Sequence, residues 1–163
     1  MKEMTEAEAL RRAASYCSAS ERSAHEVRLK VEGFGLDADA VDRIVERLVE
    51  ERFVDDARFC RAFVRDRLRF NKWGKQRLSL ELYKKGIDAA LRNEVLSEIG
   101  DEEYREILCA VLEAKKRSLR EDDSRAAYAK LFRFAMGRGF ENRWIVSCLK
   151  QVCDDEASDE FFE

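Results

Sequence analysis

Apolar side chains recur at three- and four-residue intervals along almost the whole chain, and strand-like alternation of apolar and polar residues is absent. This periodicity is that of amphipathic helices, so the pattern predicts an all-α protein. Nine helices are predicted, at 5–18, 21–32, 38–52, 55–71, 75–85, 88–99, 101–119, 123–137 and 141–152.

Polar residues and glycines mark the expected helix ends. Thr5 with Glu8, and Ser23 with Glu26, have the spacing of capping boxes. Other acidic residues are expected at N-caps or in first turns, where they meet the positive end of the helix dipole. These are Asp55, Asp101 and Asp122.

Three glycines indicate an internal repeat. Gly33, Gly86 and Gly139 are separated by 53 residues each, stand where helices are expected to end, and are each followed by a large apolar residue. The same spacing matches apolar positions between the last two copies: Leu91 with Trp144, Val95 with Cys148, Leu96 with Leu149, and Ile99 with Val152. The first copy has a short insertion at 35–37.

The repeat predicts a domain organisation of three tandem three-helix repeats, at 1–54, 55–99 and 100–153. A unit of this size buries only part of its apolar surface alone, so neighbouring copies are expected to stack. The expected result is an elongated, curved array of either hand with a concave face. Residues 154–163, "DDEASDEFFE", carry six acids and no base and are expected to form a disordered acidic tail.

Composition limits the class of protein. The 163 residues include no proline, and no stretch is long and uncharged enough to span a membrane. Met1 to Leu10 carry three Glu, which no secretory signal does, so a cytoplasmic protein is expected.

The five cysteines are odd in number, scattered and without a Cys-x-x-Cys pair, which indicates neither a disulfide framework nor a zinc site. Cys148 and Cys153 lie far in sequence from His25, the only histidine. We therefore expect core cysteines, no metal and no cofactor.

Charge is unevenly distributed although the total is only −3. The first repeat has a net charge of −3, the second +4, the third +2 and the tail −6. The body is therefore basic in its second and third copies.

The helix predicted at 55–71 has two distinct stripes. An apolar stripe is expected to face the core; it comprises Phe59, Cys60, Phe63, Val64 and Leu68. A basic stripe has intervals of 3, 4, 4 and 3 residues; it comprises Arg58, Arg61, Arg65, Arg69 and Lys72. Further cations follow on the next helix, namely Lys75, Arg77, Lys84 and Lys85, and Phe70 and Trp73 lie beside the stripe.

Aligned like charges repel by a few tenths of a kcal/mol per pair in an isolated helix. Each single Arg is most simply explained by an ion pair with another helix. For the nine cations together, which we call the predicted cation set, we favour an anionic partner, either a phosphate backbone or an acidic protein groove. An enzyme is disfavoured, since no Gly-rich loop and no nucleophile with its base accompany these residues.

Two motifs in tandem resemble those of the RecX regulatory proteins. "FVDDARFCRAFV" resembles that family's apolar-x-Asp-Asp-x-Arg-Phe-x-x-x-Phe signature, and "GKQRLSLELYKKGID" is similar to its Gly-x-x-Arg-apolar-x-x-Glu-Leu-x-x-Lys-Gly-apolar motif. "KLFRFAMGRGF" is similar to the family's closing repeat. The resemblance covers nearly all of residues 5–152.

The resemblance implies a protein without catalytic activity that binds in the groove of the RecA–DNA filament. It would modulate, and specifically inhibit, the ATPase, coprotease and strand-exchange activities of RecA in recombination, DNA repair and the SOS response. It also implies that Arg77, Lys84 and Lys85 occupy basic motif positions facing the groove. Asp55, Asp56, Phe59, Phe63 and Gly86 match structural motif positions.

Two features depart from the family pattern: the acidic first copy, and the tail with Phe161 and Phe162. One hypothesis is that the tail folds back on the basic stripe and competes with nucleic acid. We expect a monomer that contacts nucleic acid weakly or through the filament and does not bind membranes. The alternatives are a stand-alone nucleic-acid-binding helical module and a passive helical scaffold for another protein.

Overall fold

The structure, a computed structural model, describes residues 3–153, and these are helical without any strand, which confirms the all-α prediction. Within them lie nine α-helices: α1 Glu6–Ala19, α2 Ala24–Glu32, α3 Ala38–Glu50, α4 Asp56–Asp66, α5 Lys75–Lys84, α6 Ala89–Ser97, α7 Asp101–Ser118, α8 Ser124–Gly137 and α9 Asn142–Val152. The acidic tail predicted at 154–163 lies outside the described residues.

Most predicted helix starts are confirmed. Both capping boxes are present, with the Thr5 and Ser23 hydroxyls accepting from the N–H groups three residues on. Asp55 caps α4, accepting from the N–H of Arg58 at 3.0 Å, and Asp101 opens the first turn of α7.

The assignment of Asp122 to the start of α8 is wrong. The helix begins at Ser124, and the carboxylate of Asp123 accepts from the Arg125 N–H at 3.0 Å. Two adjacent aspartates and a serine offer equivalent capping chemistry, so the sequence alone does not separate them.

The single helix predicted at 55–71 is also corrected. The α-helix stops at Asp66, and Arg67–Asn71 form a π-helical turn that ends at Lys72 in a left-handed conformation with φ 58°. A π-turn inserts extra backbone and rotates the side chains that follow it. Phe70 on this turn is 80% exposed.

The described chain forms two compact units that interleave in sequence. The first comprises the residues up to Phe63 together with Glu81–Val95, and the second comprises Val64–Leu80 and the residues from Leu96 on. The repeat boundaries drawn at 54/55 and 99/100 stay a prediction.

In the first unit, α1, α2 and α3 pack on one another in pairs. Their shared core is made of small and β-branched side chains at helical spacing, including Ala9, Ala13, Val27, Val31 and Ile44, each at most 2% exposed. Small residues on α1 allow the neighbouring helices to approach closely.

In the second unit, α7, α8 and α9 make the corresponding three-helix packing. Its core holds larger side chains, among them Tyr104, Leu108, Leu131, Phe140 and Ile145, all fully buried. The ring centroids of Tyr104 and Phe140 lie 5.3 Å apart.

The glycines at 53-residue spacing do not share one conformation. Gly86 and Gly139 adopt left-handed φ values of 80° and 94°, as expected of residues that follow a helix, whereas Gly33 has φ −66°. In the first copy the left-handed residue is Gly35, two positions later, with φ 85°. Gly33 does cap α2, as predicted, but its conformation is right-handed.

The start of α2 packs against the turn at Gly86 within the first unit. Asp56 reaches from α4 to accept the N–H of Ala24 at 2.8 Å. A Cβ atom at Gly86 would lie 2.5 Å from the Cβ of His25. Asp56 and Gly86 therefore have structural roles, in capping a neighbouring helix and in close backbone approach.

The start of α5 packs in the same manner against the turn at Gly139 within the second unit. The N–H groups of Gly74 and Gln76 donate to the carbonyls of Arg138 and Gly139 at 2.8 and 3.0 Å. Between them, the N–H of Lys75 donates to the hydroxyl of Tyr104 at 2.9 Å. Groups distant in sequence thus accept hydrogen bonds from three backbone N–H groups at the start of α5, which have no acceptor within the helix itself.

Tyr104 connects α5 to the start of α9. Its hydroxyl accepts from Lys75 and donates to the carboxylate of Glu141. Burial, followed by the hydrogen bond to Glu141, raises the pKa of Tyr104 well above its ordinary value. The neutral phenol is therefore the form that the fold holds.

Tyr104→Phe should destabilise the protein by about 1–3 kcal/mol at neutral pH, because the Lys75 N–H and the Glu141 carboxylate lose a partner. Since the folded pKa of Tyr104 is raised, the unfolded chain loses this proton first, and wild-type stability should fall above about pH 10 by up to about 1.4 kcal/mol per pH unit. Tyr104→Phe has no phenol proton to lose at this position. The difference in free energy of unfolding between wild type and Tyr104→Phe should therefore become smaller above about pH 10. Urea unfolding at pH 8, 10 and 11 measures it, with the exposed Tyr83→Phe as control, and parallel curves for wild type and Tyr104→Phe would contradict the assignment.

All five cysteines carry free thiols, and Cys17, Cys60 and Cys148 are buried, as predicted for core residues. Burial raises the pKa of the Cys148 thiol to about 12, so it stays protonated at neutral pH. Among residues 3–153, no group of three or more His, Cys, Asp or Glu is placed to hold a metal ion. In the same span, no helix is long and apolar enough to cross a membrane.

Candidate partner-binding surface

Helix α4 separates apolar and basic side chains as its sequence predicts. Phe59, Cys60, Val64 and Leu68 are buried and Phe63 is half-buried, with the rings of Phe59 and Phe63 5.7 Å apart. The arginines at 58, 61, 65 and 69 are exposed. These arginines are therefore exposed to solvent. Whether they can bind an anionic partner depends on whether carboxylates of this chain neutralise them.

In the first unit, every member of the predicted cation set has a carboxylate partner. The pairs are Arg58–Glu21 at 2.7 Å, Arg61–Glu94 at 3.9 Å, Lys84–Glu81 at 3.4 Å and Lys85–Glu26 at 3.3 Å. Arg58 also donates to the carbonyls of Arg52 and Phe53. The Lys85–Glu26 pair is partly buried and the other three are more exposed. Exposed ion pairs contribute at most about 1 kcal/mol each, but these pairs cancel much of the local positive charge.

In the second unit, only Arg69 of the predicted cation set has a carboxylate partner among the described residues, Glu103 at 3.1 Å. The other four members have none within residues 3–153, and we call them the four unpaired cations: Arg65, Lys72, Lys75 and Arg77. Arg65 is exposed on α4, and the ammonium of Lys72 donates to the carbonyl of Arg69.

The remaining two unpaired cations lie on aromatic rings. The ammonium of Lys75 is 5.0 Å from the ring centroid of Tyr104, and the guanidinium of Arg77 is 4.3 Å from that of Trp73. Ring contacts orient these cations without neutralising them, since the rings carry no net charge. The second unit thus holds positive charge that its own described acids leave uncompensated.

Trp73 is contacted by a second guanidinium that sequence reasoning missed. The guanidinium of Arg67 lies 5.5 Å from the ring centroid of Trp73. Arg67 precedes Trp73 in the sequence, whereas Arg77 follows it. Regular α-helical spacing places Arg67 outside the basic stripe. Arg67 begins the π-helical turn, which lies between it and Trp73 in sequence. Because the apolar pattern does not indicate this turn, it does not predict the contact between Arg67 and Trp73.

The site therefore consists of cations, an exposed Phe70 and a half-buried Trp73, carried on α4, α5 and the residues between them. Such a surface suits the binding of an anionic macromolecule. The fold defines an all-helical protein that contains three-helix bundles.

Comparison with known proteins identifies the family. Models for the second and third three-helix domains of RecX match residues 55–96 and 101–149. A regulatory protein RecX from Prosthecochloris aestuarii is 31% identical over 144 residues, covering 88% of this chain and 93% of its own. The RecX of Clostridium acetobutylicum is 30% identical over 145 residues, covering 86% of this chain and 67% of its own. The chain belongs to the RecX family of regulatory proteins.

A solved structure agrees in fold. The crystal structure of RecX from Lactobacillus salivarius superposes with a TM-score of 0.84 at 21% identity, covering 90% of this chain and 96% of that one. The chain spans 63% and 59% of the length of two further clostridial relatives. The relatives are named regulatory proteins.

Proposed function

We propose that this protein binds the groove of the RecA–DNA filament and inhibits the ATPase, coprotease and strand-exchange activities of RecA. Membership of the RecX family supports the choice of partner. The observation that carries the proposal is the set of four unpaired cations in the second unit, which leaves positive charge available to an acidic or phosphate-lined groove.

The mechanism proposed is binding without chemistry. A protein that binds one conformation of the filament more tightly than another shifts the filament toward that conformation, by no more than the difference in binding free energy. Holding neighbouring protomers in one arrangement would obstruct the cycle that ATP turnover requires. The protein is proposed to act as a monomer in the cytoplasm, without metal or cofactor.

The test is DNA-stimulated ATP hydrolysis by the cognate RecA, measured against increasing amounts of this protein. Hydrolysis should fall at substoichiometric or near-stoichiometric protein, because each bound molecule would constrain more than one protomer. Unchanged hydrolysis at an excess of protein would reject the proposal.

A second candidate, a stand-alone single-strand binder, is favoured by one observation. Trp73 with Arg67 and Arg77, near the exposed Phe70 in sequence, combines aromatic faces with cations as base-stacking surfaces do. Tight binding to free DNA, with a log-log salt slope of about 0.7 to 0.9 per phosphate contact, would favour it. Filament regulation predicts weak free-DNA binding together with strong inhibition of hydrolysis.

A further inference from the structure

A pocket in the second unit remains unexplained by the surface described above. It has a volume of about 370 Å³ and lies between α7 and α8, with Lys72 at its edge. Its apolar lining includes Val111, Ala114 and Phe134. Three cations line it as well, namely Lys72, Lys115 and Arg138, and no acidic side chain of residues 3–153 does.

Two of the three cations of this pocket lie near the ring of Phe134. The ammonium of Lys115 lies 4.8 Å from the ring centroid of Phe134, and the guanidinium of Arg138 lies 5.6 Å from it. Within residues 3–153, neither cation has a carboxylate partner. The Nε atom of Arg138 is buried and has no hydrogen-bond partner among the described residues, which is costly for a charged donor.

An occupant of matching chemistry needs apolar rings for the lining and several negative charges for the cations. An inorganic anion would meet the cations and leave the apolar lining in water. A short acidic peptide with aromatic residues satisfies both requirements.

This chain carries such a peptide. Residues 154–163 hold six acids together with Phe161 and Phe162. The segment follows α9, whose carbonyl at Val152 accepts from the ammonium of Lys116 at 3.1 Å. Lys116 is the residue after Lys115 on α7, and ten residues span up to about 33 Å, so the pocket is within reach.

We propose that the pocket binds residues 154–163 of the same chain, with the phenylalanines against Phe134 and the acids on Lys72, Lys115 and Arg138. Tethering gives the segment an effective concentration on the order of millimolar, which exceeds that of most competing ligands. Because Lys72 is also one of the four unpaired cations, the bound segment covers part of the proposed partner surface. The segment and an anionic partner would therefore compete for Lys72.

Photo-cross-linking of the full chain tests this without RecA or DNA, so its result is independent of the proposed function. The variant Phe162→p-benzoylphenylalanine carries a photoreactive side chain. This protein is irradiated at low concentration, digested with a protease and analysed by mass spectrometry. The expected product is monomeric and links residue 162 to a peptide of α7 or α8 that lines the pocket. Salt at 1 M should reduce the yield, because the Debye length falls to about 3 Å.

A charge reversal and its matched control identify the pocket. Lys115→Glu should lower the pocket cross-link at least about fivefold, since it replaces attraction by repulsion at the pocket wall. Arg117→Glu makes the same change in net charge on the same exposed turn of α7, outside the pocket lining, and should leave the yield near wild type. Cross-links only elsewhere in the chain, only between two molecules, or reduced equally by both substitutions would overturn the proposal.

Discussion

Gly74→Ala is expected to destabilise the protein by about 3 kcal/mol or more, the largest stability effect of any single substitution considered. A Cβ at position 74 would lie 2.4 Å from the backbone carbon and oxygen of Gly139 and from the backbone nitrogen of Phe140. Backbone atoms cannot rotate away as a flexible side chain does, so the two segments must separate. Separation also breaks the hydrogen bond from the Gly74 N–H to the Arg138 carbonyl.

Urea unfolding followed by circular dichroism measures this loss. Gly137→Ala is the matched control, since that glycine ends α8, only two residues from Gly139, and no neighbouring atom of the described residues lies within 4 Å of an added Cβ. It should be neutral, or stabilising by up to about 1 kcal/mol, because alanine restricts the unfolded chain. Equal effects of the two substitutions would contradict the backbone contact described between α5 and the Gly139 turn.

Reversing two of the four unpaired cations, as Arg65→Glu with Lys72→Glu, is expected to have the largest effect on function. Neither ammonium nor guanidinium has a carboxylate partner within residues 3–153, so the fold should tolerate the change. Two repulsive charges against an anionic groove should cost roughly 2 kcal/mol or more of binding free energy. The concentration for half-maximal inhibition of RecA ATP hydrolysis should then rise about 30-fold or more.

The control is Arg11→Glu with Arg12→Glu, which reverses two exposed cations on α1 and changes the net charge by the same amount. It should leave inhibition within about threefold of wild type, since general electrostatic attraction is screened beyond roughly 10 Å. If both double variants lose inhibition equally, net charge alone would account for the effect. If neither does, the four unpaired cations do not bind the filament.

The helices and their starts were largely predictable because they depend on neighbours in sequence. Capping boxes at Thr5 and Ser23 join residues three apart, and the burial of Phe59 and Leu68 follows from helical spacing. The errors arose where several residues offer the same chemistry, as at Asp122 and Asp123, or where the apolar spacing does not indicate a π-helical turn, as at Arg67–Asn71.

Which cations of the basic stripe form ion pairs was not predictable, because the carboxylates that pair with them are distant in sequence. Glu21, Glu94 and Glu103 lie on or beside other helices, more than thirty residues from the arginines they neutralise. Within α4, only aspartates were near enough to be considered. Helical spacing therefore located the cations and could not say which of them stay unpaired.

The interleaving of the two compact units has a consequence for biosynthesis. The polypeptide passes between them after residues 63, 80 and 95, so neither unit is one continuous segment. A nascent chain lacks part of the first unit until residue 95 has left the ribosome, and the second awaits α9. No single protease cut can separate the two units and leave both of them whole. Cleavage of the chain should therefore affect the whole molecule.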